Sequence, residues 1–256
     1  MKLAVITGGS GGIGLELARC AARDGYNVLL VASGAERLAA AAEGLRAHHP
    51  SRQIETLVAD LSTAAGVELV GIALADRPVA VLINNAGFAT AGAFATIELA
   101  PELAEIRLNV EALTHLTHLV LPGMLKRRSG HILNVASMAA FLPGPYMATY
   151  YATKAYVLSL SEGLAAELAG TGVGVTALCP GPTQSGFAKR AKVEHLRSFR
   201  GHLPSAASVA EAGWRGTLAG RRLVVPGASN KLAATFLRFV PRRILAWAVR
   251  HVQIPS

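Results

Sequence analysis

Residues 3–14 read LAVITGGSGGIG: a short apolar run, Leu3 to Thr7, leads into a glycine-rich turn and then into a helical pattern, Ile13 to Arg23. Apolar residues on both faces of so short a run suit a strand buried between helices, as a parallel sheet covered on both sides requires. In a strand-to-helix turn, glycines let the backbone approach a pyrophosphate, and the start of the helix offers free N–H groups and a positive dipole end. Gly8, Gly12 and Gly14 fit that role, with Ser10 and Ile13 completing the turn. Glycines also serve close helix packing, so the turn alone does not decide. Gly8 to Gly12 satisfy G-x-S-x-G as well, the nucleophile turn of α/β hydrolases. That turn belongs after earlier strands and an oxyanion loop, whereas this one ends the first strand, so a hydrolase is not expected.

Outward from this turn the same alternation continues. Short apolar runs at Asn27 to Ala32, Ile54 to Ala59, Val79 to Ile83, His131 to Ala136, Val173 to Leu178 and Leu223 to Val225 read as strands. Between them lie helical patterns at Ala35 to Ala47, Ala64 to Ala75, Glu98 to Lys126, Thr149 to Ala169 and Val209 to Ala219. Repeated β-α units predict an α/β fold with a doubly wound parallel sheet, one domain over residues 1–256. The stretch Gln184 to Ser208 does not continue the alternation, and a long excursion after a strand is expected to be a lid over a binding site.

Composition narrows the class. Fifty-two per cent hydrophobic and 16% charged residues exclude disorder and a disulfide miniprotein. Cys20 and Cys179 show no metal-ligand or disulfide spacing, and the opening lacks the pattern of a signal peptide, so a reducing, cytoplasmic setting is expected. Uncharged stretches at 78–97, 129–153 and 168–188 reach the length of a membrane span, but Asn, Gly and Pro cut them into runs far too short for one. Charge is uneven: residues 1–185 carry 12 Lys/Arg against 14 Asp/Glu, and 186–256 carry 13 against 2. A basic tail points to nucleic acid, an anionic membrane, an anionic ligand or a merely solvated surface. Without a helix-turn-helix, zinc module or aromatic-basic platform, no nucleic-acid partner is expected.

Chemistry concentrates in the second half. Tyr150 and Lys154 are four apart in a helical pattern, so both side chains share one face. A phenol titrates near 10 when unperturbed, and an adjacent cation favours its ionised form, as a general acid/base at neutral pH needs. Ser137 follows the strand His131 to Ala136, at the strand end where open α/β sheets bind ligands. Asn84-Asn85-Ala86-Gly87 likewise follows a strand, and Asn109 lies in the long helical segment.

These segments, in this order, resemble the short-chain dehydrogenase/reductase family over essentially the whole chain. The matching pieces are TGGSGGIG, Ala59-Asp60-Leu61, NNAG at 84–87, Asn109 in LNV, Ser137 in NVAS, Tyr150 to Lys154, and Pro180-Gly181-Pro182-Thr183. More narrowly, PYMATYYATKAYVLSLSEGL and VTALCPGPT resemble a bacterial subgroup close to hydroxysteroid and ketoacyl reductases. The resemblance implies a Rossmann fold, a nicotinamide cofactor, no metal, and a homo-oligomer. It implies that Tyr150 exchanges a proton with the substrate oxygen, Lys154 lowers the phenol pKa and bonds the nicotinamide ribose, and Ser137 orients that oxygen. Asn109 would hold a water of a proton relay. Asp60 and Leu61 would border the adenine, Asn85, Ala86 and Gly87 the adenosine side, and Pro180, Gly181 and Thr183 the nicotinamide. Asp, Asn and Gly also populate loops after strands for their turn chemistry.

The second strand ends Val31-Ala32-Ser33, with no carboxylate to hold both ribose hydroxyls, so NADP(H) is expected over NAD(H), with Ser33 and Arg37 on the 2′-phosphate. The family's frequent arginine at the position of Ser33, and its basic residue at Ser10 or Gly11, are absent. Ser33-Gly-Ala-Glu36 also reads as a capping box. Phe88, Phe141, Leu142, Pro143, Tyr146, Met147 and Phe187 are expected around the carbonyl, which predicts a small hydrophobic ketone or secondary alcohol as substrate. Residues 230–253 mix apolar and basic residues, with Pro241 dividing two short helices. Such a segment can lie peripherally on an anionic membrane or pack on its own core or a second subunit, and packing is the expectation. A catalytically silent NADP-sensing or scaffold protein is the alternative to an enzyme, and the intact Ser137, Tyr150 and Lys154 speak against it.

Overall fold

The computed structural model describes residues 2–75, 77–196, 199, 201 and 203–253. Seven parallel strands form one sheet in the order β3-β2-β1-β4-β5-β6-β7. They are β1 (Leu3–Thr7), β2 (Asn27–Ala32), β3 (Ile54–Val58), β4 (Val79–Asn84), β5 (Gly130–Val135), β6 (Val173–Leu178) and β7 (Leu223–Val224). The helices are α1 (Gly12–Arg23), α2 (Ala35–His48), α3 (Ala64–Leu74), α4 (Leu99–Ile106), α5 (Leu113–Arg127), α6 (Ala148–Glu167), α7 (Phe187–Ala191), α8 (Ala206–Leu218), α9 (Ala228–Phe236) and α10 (Arg242–Gln253). The expected doubly wound Rossmann sheet is what the chain forms.

Strand alternation builds the two cores. In β1, Ala4 and Ile6 face one way, into a cluster with Leu17 of α1, Leu38 of α2 and Trp214 of α8. Leu3 and Val5 face the other, into a cluster with Val67 and Val70 of α3 and Leu116 and Val120 of α5. With both faces covered, the central strands contain no solvent-facing row, which explains their unbroken apolar sequence. The strand order reverses between β1 and β4. Loops leaving the carboxyl ends of these strands diverge there and open a crevice.

Two elements differ from the expected pattern. The helical run predicted over Glu98 to Lys126 contains a π-helical stretch, Arg107–Ala112, between α4 and α5. Asn109 lies within it, and wide turns of this kind recur at functional sites. The excursion Gln184 to Ser208 holds a short helix, α7, and its ends meet: Gln184 N–H donates to Pro204 C=O at 3.0 Å, beside a bridge between Gln184 and Ser205. The excursion is therefore a closed loop clipped at its root. Residues 197, 198, 200 and 202 of it lie outside the described residues.

Candidate active site

The crevice is a cleft of about 650 Å³, within the range of small-molecule sites. Its floor is the glycine turn. Gly8 has φ +66, and a Cβ there would stand 2.7 Å from Asn85 Nδ2 and 2.9 Å from Ala86 Cα. Gly11, the N-cap of α1, supplies no side-chain cap, so the first N–H groups of α1 open on a cleft lined by Gly8, Ser10, Gly11, Gly12 and Ile13. An uncapped helix start faced by glycines suits a pyrophosphate. Gly14 lies one turn in, beneath the cradle.

Thr7 and Asn85 tie this floor to β4. Thr7 Oγ1 accepts from the N–H groups of Asn85 and Ala86, each at 3.0 Å. Asn85 Nδ2 donates to the carbonyls of Thr7 (2.9 Å) and Gly8 (3.2 Å). The amide donors of Asn85 thus brace the glycine turn. Asp60 also does turn work: its Oδ1 accepts from the N–H and hydroxyl of Ser62. Asp60, Leu61, Ala86 and Gly87 all line the cleft.

At the far end stand Tyr150, Lys154 and Ser137. Tyr150 and Lys154 lie on the inner face of α6, both buried. Lys154 Nζ donates to Val135 C=O at 2.8 Å and lies 5.9 Å from the Tyr150 ring centre. Burial lowers the ammonium to about 8, while Glu105 pulls the other way. It is a cation at neutral pH, held next to the phenol. Burial also raises the Tyr150 phenol above its ordinary value, and a hydrogen bond with Ser137 opposes that. The phenol is consequently a protonated donor at neutral pH. Ser137 sits just past β5 and caps the 3-10 turn Met138–Phe141 by accepting from Ala139 N–H at 3.1 Å.

Asn109 is reached through its own contacts. Its side-chain amide donates to Phe88 C=O (3.0 Å) and Thr153 Oγ1 (3.1 Å), and its Oδ1 accepts from Phe88 N–H (3.2 Å). The side chain clamps the loop after β4 to α6. Gly87 is the point of closest approach, since a Cβ there would lie 2.9 Å from Asn109 Oδ1 and 3.5 Å from Lys154 Nζ. In the loop after β6, Pro180 C=O accepts from Met138 N–H, and buried Thr183 donates to Gly181 C=O at 2.8 Å. All of the expected catalytic and cofactor-binding residues except Gly14 and Asn109 line this one cleft, and those two brace its walls.

Some side chains at the site carried no readable signal. A buried polar chain, Thr117–Asn84–Asn134–Ser161, joins α5, β4, β5 and α6 beneath the cleft. Asn230 of α9 packs where a Cβ on Gly181 would be, 2.7 Å from Nδ2. Arg190, on α7, lines the cleft together with Arg37 of α2. Arg190 sits below its ordinary pKa through burial and through the charge of Arg37. Two cations from separate elements therefore border the glycine-turn end. Helix α2 is capped by Gly34 with no side-chain bond, so the capping-box reading of Ser33 does not hold and its hydroxyl stays available at the cleft.

The apolar end differs in detail from expectation. Phe88, Leu142, Met147 and Phe187 line the cleft, joined by Met138, Tyr151, Leu196, Phe199, Ala248 and Val249. Phe141, Pro143 and Tyr146 are not among the lining residues. Phe141 instead packs against the cluster of Leu113, Val157 and Leu158. Tyr146 takes a left-handed backbone, φ 63, whose carbonyl accepts from Gly92 N–H. The loop between β6 and α8 reaches the phenol directly: the Phe187 ring lies 5.3 Å from that of Tyr150, and Phe199 lies 6.3 Å from Phe187.

Next to the Tyr–Lys pair lie two buried carboxyls, Glu102 and Glu105. The Thr90 hydroxyl contacts both, and Thr149, beside Tyr150, bonds Glu102. Burial raises Glu105 to about 7, and its Oε1 has no hydrogen-bond partner. A carboxyl raised from 4.5 to about 7 stabilises the fold fully below pH 4.5, and that contribution is lost as the pH rises through 7. Glu105→Gln should therefore lose less stability than the parent between pH 5 and 8, by about 2–3 kcal/mol. Parallel melting curves check this, and identical pH profiles would contradict it.

The family model for short chain dehydrogenase matches residues 2–195. The chain belongs to the short-chain dehydrogenase/reductase family and is an oxidoreductase by that membership. A short-chain dehydrogenase of Sphingobium yanoikuyae solved with NADPH is similar at TM-score 0.83 and 32% identity, over 96% of this chain and 98% of that one. A family member of Burkholderia phymatum solved with NAD is similar at TM-score 0.82 and 27% identity, over 91% and 92%. Among curated relatives, a very-long-chain 3-oxoacyl-CoA reductase of Aspergillus terreus is 37% identical over 180 residues, 67% of this chain but only 50% of that longer protein. These likenesses support a nicotinamide cofactor and leave open which one. No described helix is long and apolar enough to cross a membrane.

Proposed function

We propose that this protein is an NADP(H)-dependent reductase or dehydrogenase that interconverts a hydrophobic ketone and its secondary alcohol, working in the cytoplasm. The observation that carries this reading is the placement of Tyr150, Ser137 and Lys154 under an apolar lid, at one end of a cleft whose other end is an uncapped, glycine-lined helix start. A nicotinamide dinucleotide would supply or accept the hydride when bound. Gly8, Ser10, Gly12 and Ile13 would hold its pyrophosphate, Asp60, Leu61, Asn85, Ala86 and Gly87 its adenosine side, and Pro180, Gly181 and Thr183 its carboxamide.

The rest of the chemistry belongs to this chain. Tyr150, protonated because it is buried, donates its proton to the carbonyl oxygen as that oxygen gains charge, and Ser137 gives a second hydrogen bond to the same atom. Lys154 stabilises the resulting phenolate. Since the Asn109 side chain is committed to Phe88 and Thr153, a relay water there would be held by its backbone. Phe187, Leu196, Phe199 and Met147 exclude bulk water and favour apolar substituents. The name of the Aspergillus relative, an acyl-chain reductase, agrees with an apolar substrate. Exposed Leu103 and Ile106 of α4 and Leu119 of α5 would form the subunit face of a homo-oligomer.

Cofactor choice follows from charge. No carboxylate stands at the end of β2, and Ser33, Arg37 and Arg190 border that end of the cleft. Initial rates with the two cofactors should favour NADPH over NADH. Arg37→Ala and Arg190→Ala should each lower that preference about tenfold or more, the scale of a lost charge-assisted hydrogen bond. A preference for NADH in the parent would overturn the assignment.

A further inference from the structure

The two C-terminal helices present more apolar surface than the fold uses. Ala234 and Leu245 are buried, whereas Leu232, Phe236, Phe239, Ile244 and Trp247 are exposed, Phe239 at 80% and Trp247 at 64%. In α10, Leu245, Ala248 and Val249 follow an i, i+3, i+4 pattern; Leu245 is buried and the other two line the cleft. Ile244 and Trp247 lie on the neighbouring arc and meet solvent. The expectation that this segment simply packs is thus met on one side of it only.

Charge says what would cover the other side. Residues 212–256 contain eight Lys/Arg and no Asp/Glu. Lys231, Arg238, Arg242, Arg243 and Arg250 are exposed among the bare apolar residues, and none is in an ion pair among the described residues. A second copy laid on this face would set one basic row against another. A surface of Trp and Phe rings interleaved with guanidinium groups matches the boundary of an anionic bilayer, where rings sit at headgroup depth and cations meet lipid phosphates.

We propose that residues 228–253 dock this protein onto anionic lipid bilayers, and that α10 thereby sets the mouth of the cleft against the lipid so that bilayer-partitioned ketones or alcohols enter from the membrane. The second half rests on the proposed reading of the cleft as a carbonyl site. Ala248 and Val249 border the same opening as the lid residues Leu196 and Phe199, so one helix faces the substrate on one side and the bilayer on the other.

The test uses the full chain with phosphatidylcholine vesicles, with and without phosphatidylserine. The protein should sediment with the phosphatidylserine vesicles, and less so as salt rises. Trp214 is fully buried, so a blue shift of tryptophan emission on binding reports Trp247, the only other tryptophan. Arg242→Gln with Arg243→Gln, and separately Phe239→Ser with Trp247→Ser, should weaken vesicle binding by more than about tenfold while leaving turnover of a water-soluble ketone intact. Absence of sedimentation, binding indifferent to both double variants, or a dimer that depends on Phe239 and Trp247 would overturn the docking. Vesicle binding is read without turnover, so an inactive cleft would refute the enzymatic reading alone. Binding without any gain in turnover of a vesicle-borne ketone would refute the membrane-entry half.

Discussion

Tyr150→Phe should lower turnover by at least about 10³-fold while leaving cofactor affinity and melting temperature close to those of the parent. The change removes one oxygen and keeps the ring, so the 5.3 Å contact with Phe187 and the burial of that side chain persist. What disappears is the proton donor. Lys154 cannot replace it, because its ammonium is committed to Val135 C=O. Single-turnover reduction measured beside equilibrium binding of NADPH separates the outcomes. Retained turnover would show that another group carries the proton; lost binding would show that the phenol mainly shapes the cleft. The same experiment decides against the silent sensor, whose behaviour would not change.

Gly14→Ala should be the most damaging substitution of a single methyl in the glycine turn. Alanine is the better helix former by about 1 kcal/mol, so an exposed helical glycine would gain from the change. Here the new Cβ would stand 2.3 Å from Asn85 Nδ2 and 2.5 Å from Gly8 C=O. Backbone cannot swing aside as a long side chain can, and overpacking of this kind costs about 1–3 kcal/mol or more, which outweighs the helix gain. The strain falls on the Asn85 brace that holds the cradle. We expect a lower melting temperature together with at least about a tenfold loss of NADPH affinity. Gly11→Ala is the control: nothing lies within 4 Å of its Cβ and its φ of 172 is open to any residue, so it should fold as the parent does. Equal stability of the two variants would contradict the packing argument.

Much of this was legible in the chain because its signals are local. Strand runs end within a residue or so of where they were expected, since an apolar run closed by Gly, Asn or Pro leaves little choice. Tyr150 and Lys154 share a helix, so their spacing alone places them together. The π-helical stretch at Asn109 was not legible, because the partners of that side chain, Phe88 and Thr153, are distant in sequence. Arg190 and Asn230 were missed for the same reason. Arg190 reaches the cleft, and Asn230 packs against Gly181, from elements whose sequence records nothing of what they pack against. Phe141 and Tyr146 were misplaced because an apolar residue near a site packs inward or lines it according to backbone direction, which composition does not encode.

The order of β and α segments and the glycine turn determined the sheet and the glycine-turn end of the cleft, because hydrophobic period and backbone freedom act within a few residues. Only the tertiary structure decided the environment that makes those groups reactive. The burial that keeps Tyr150 protonated, the desolvation that raises Glu105, the pairing of Gln184 with Ser205 at the root of the loop, and the bare face of the last two helices all arise from contacts between distant segments. Desolvation is a property of what surrounds a group, and the chain specifies those surroundings only once it has folded.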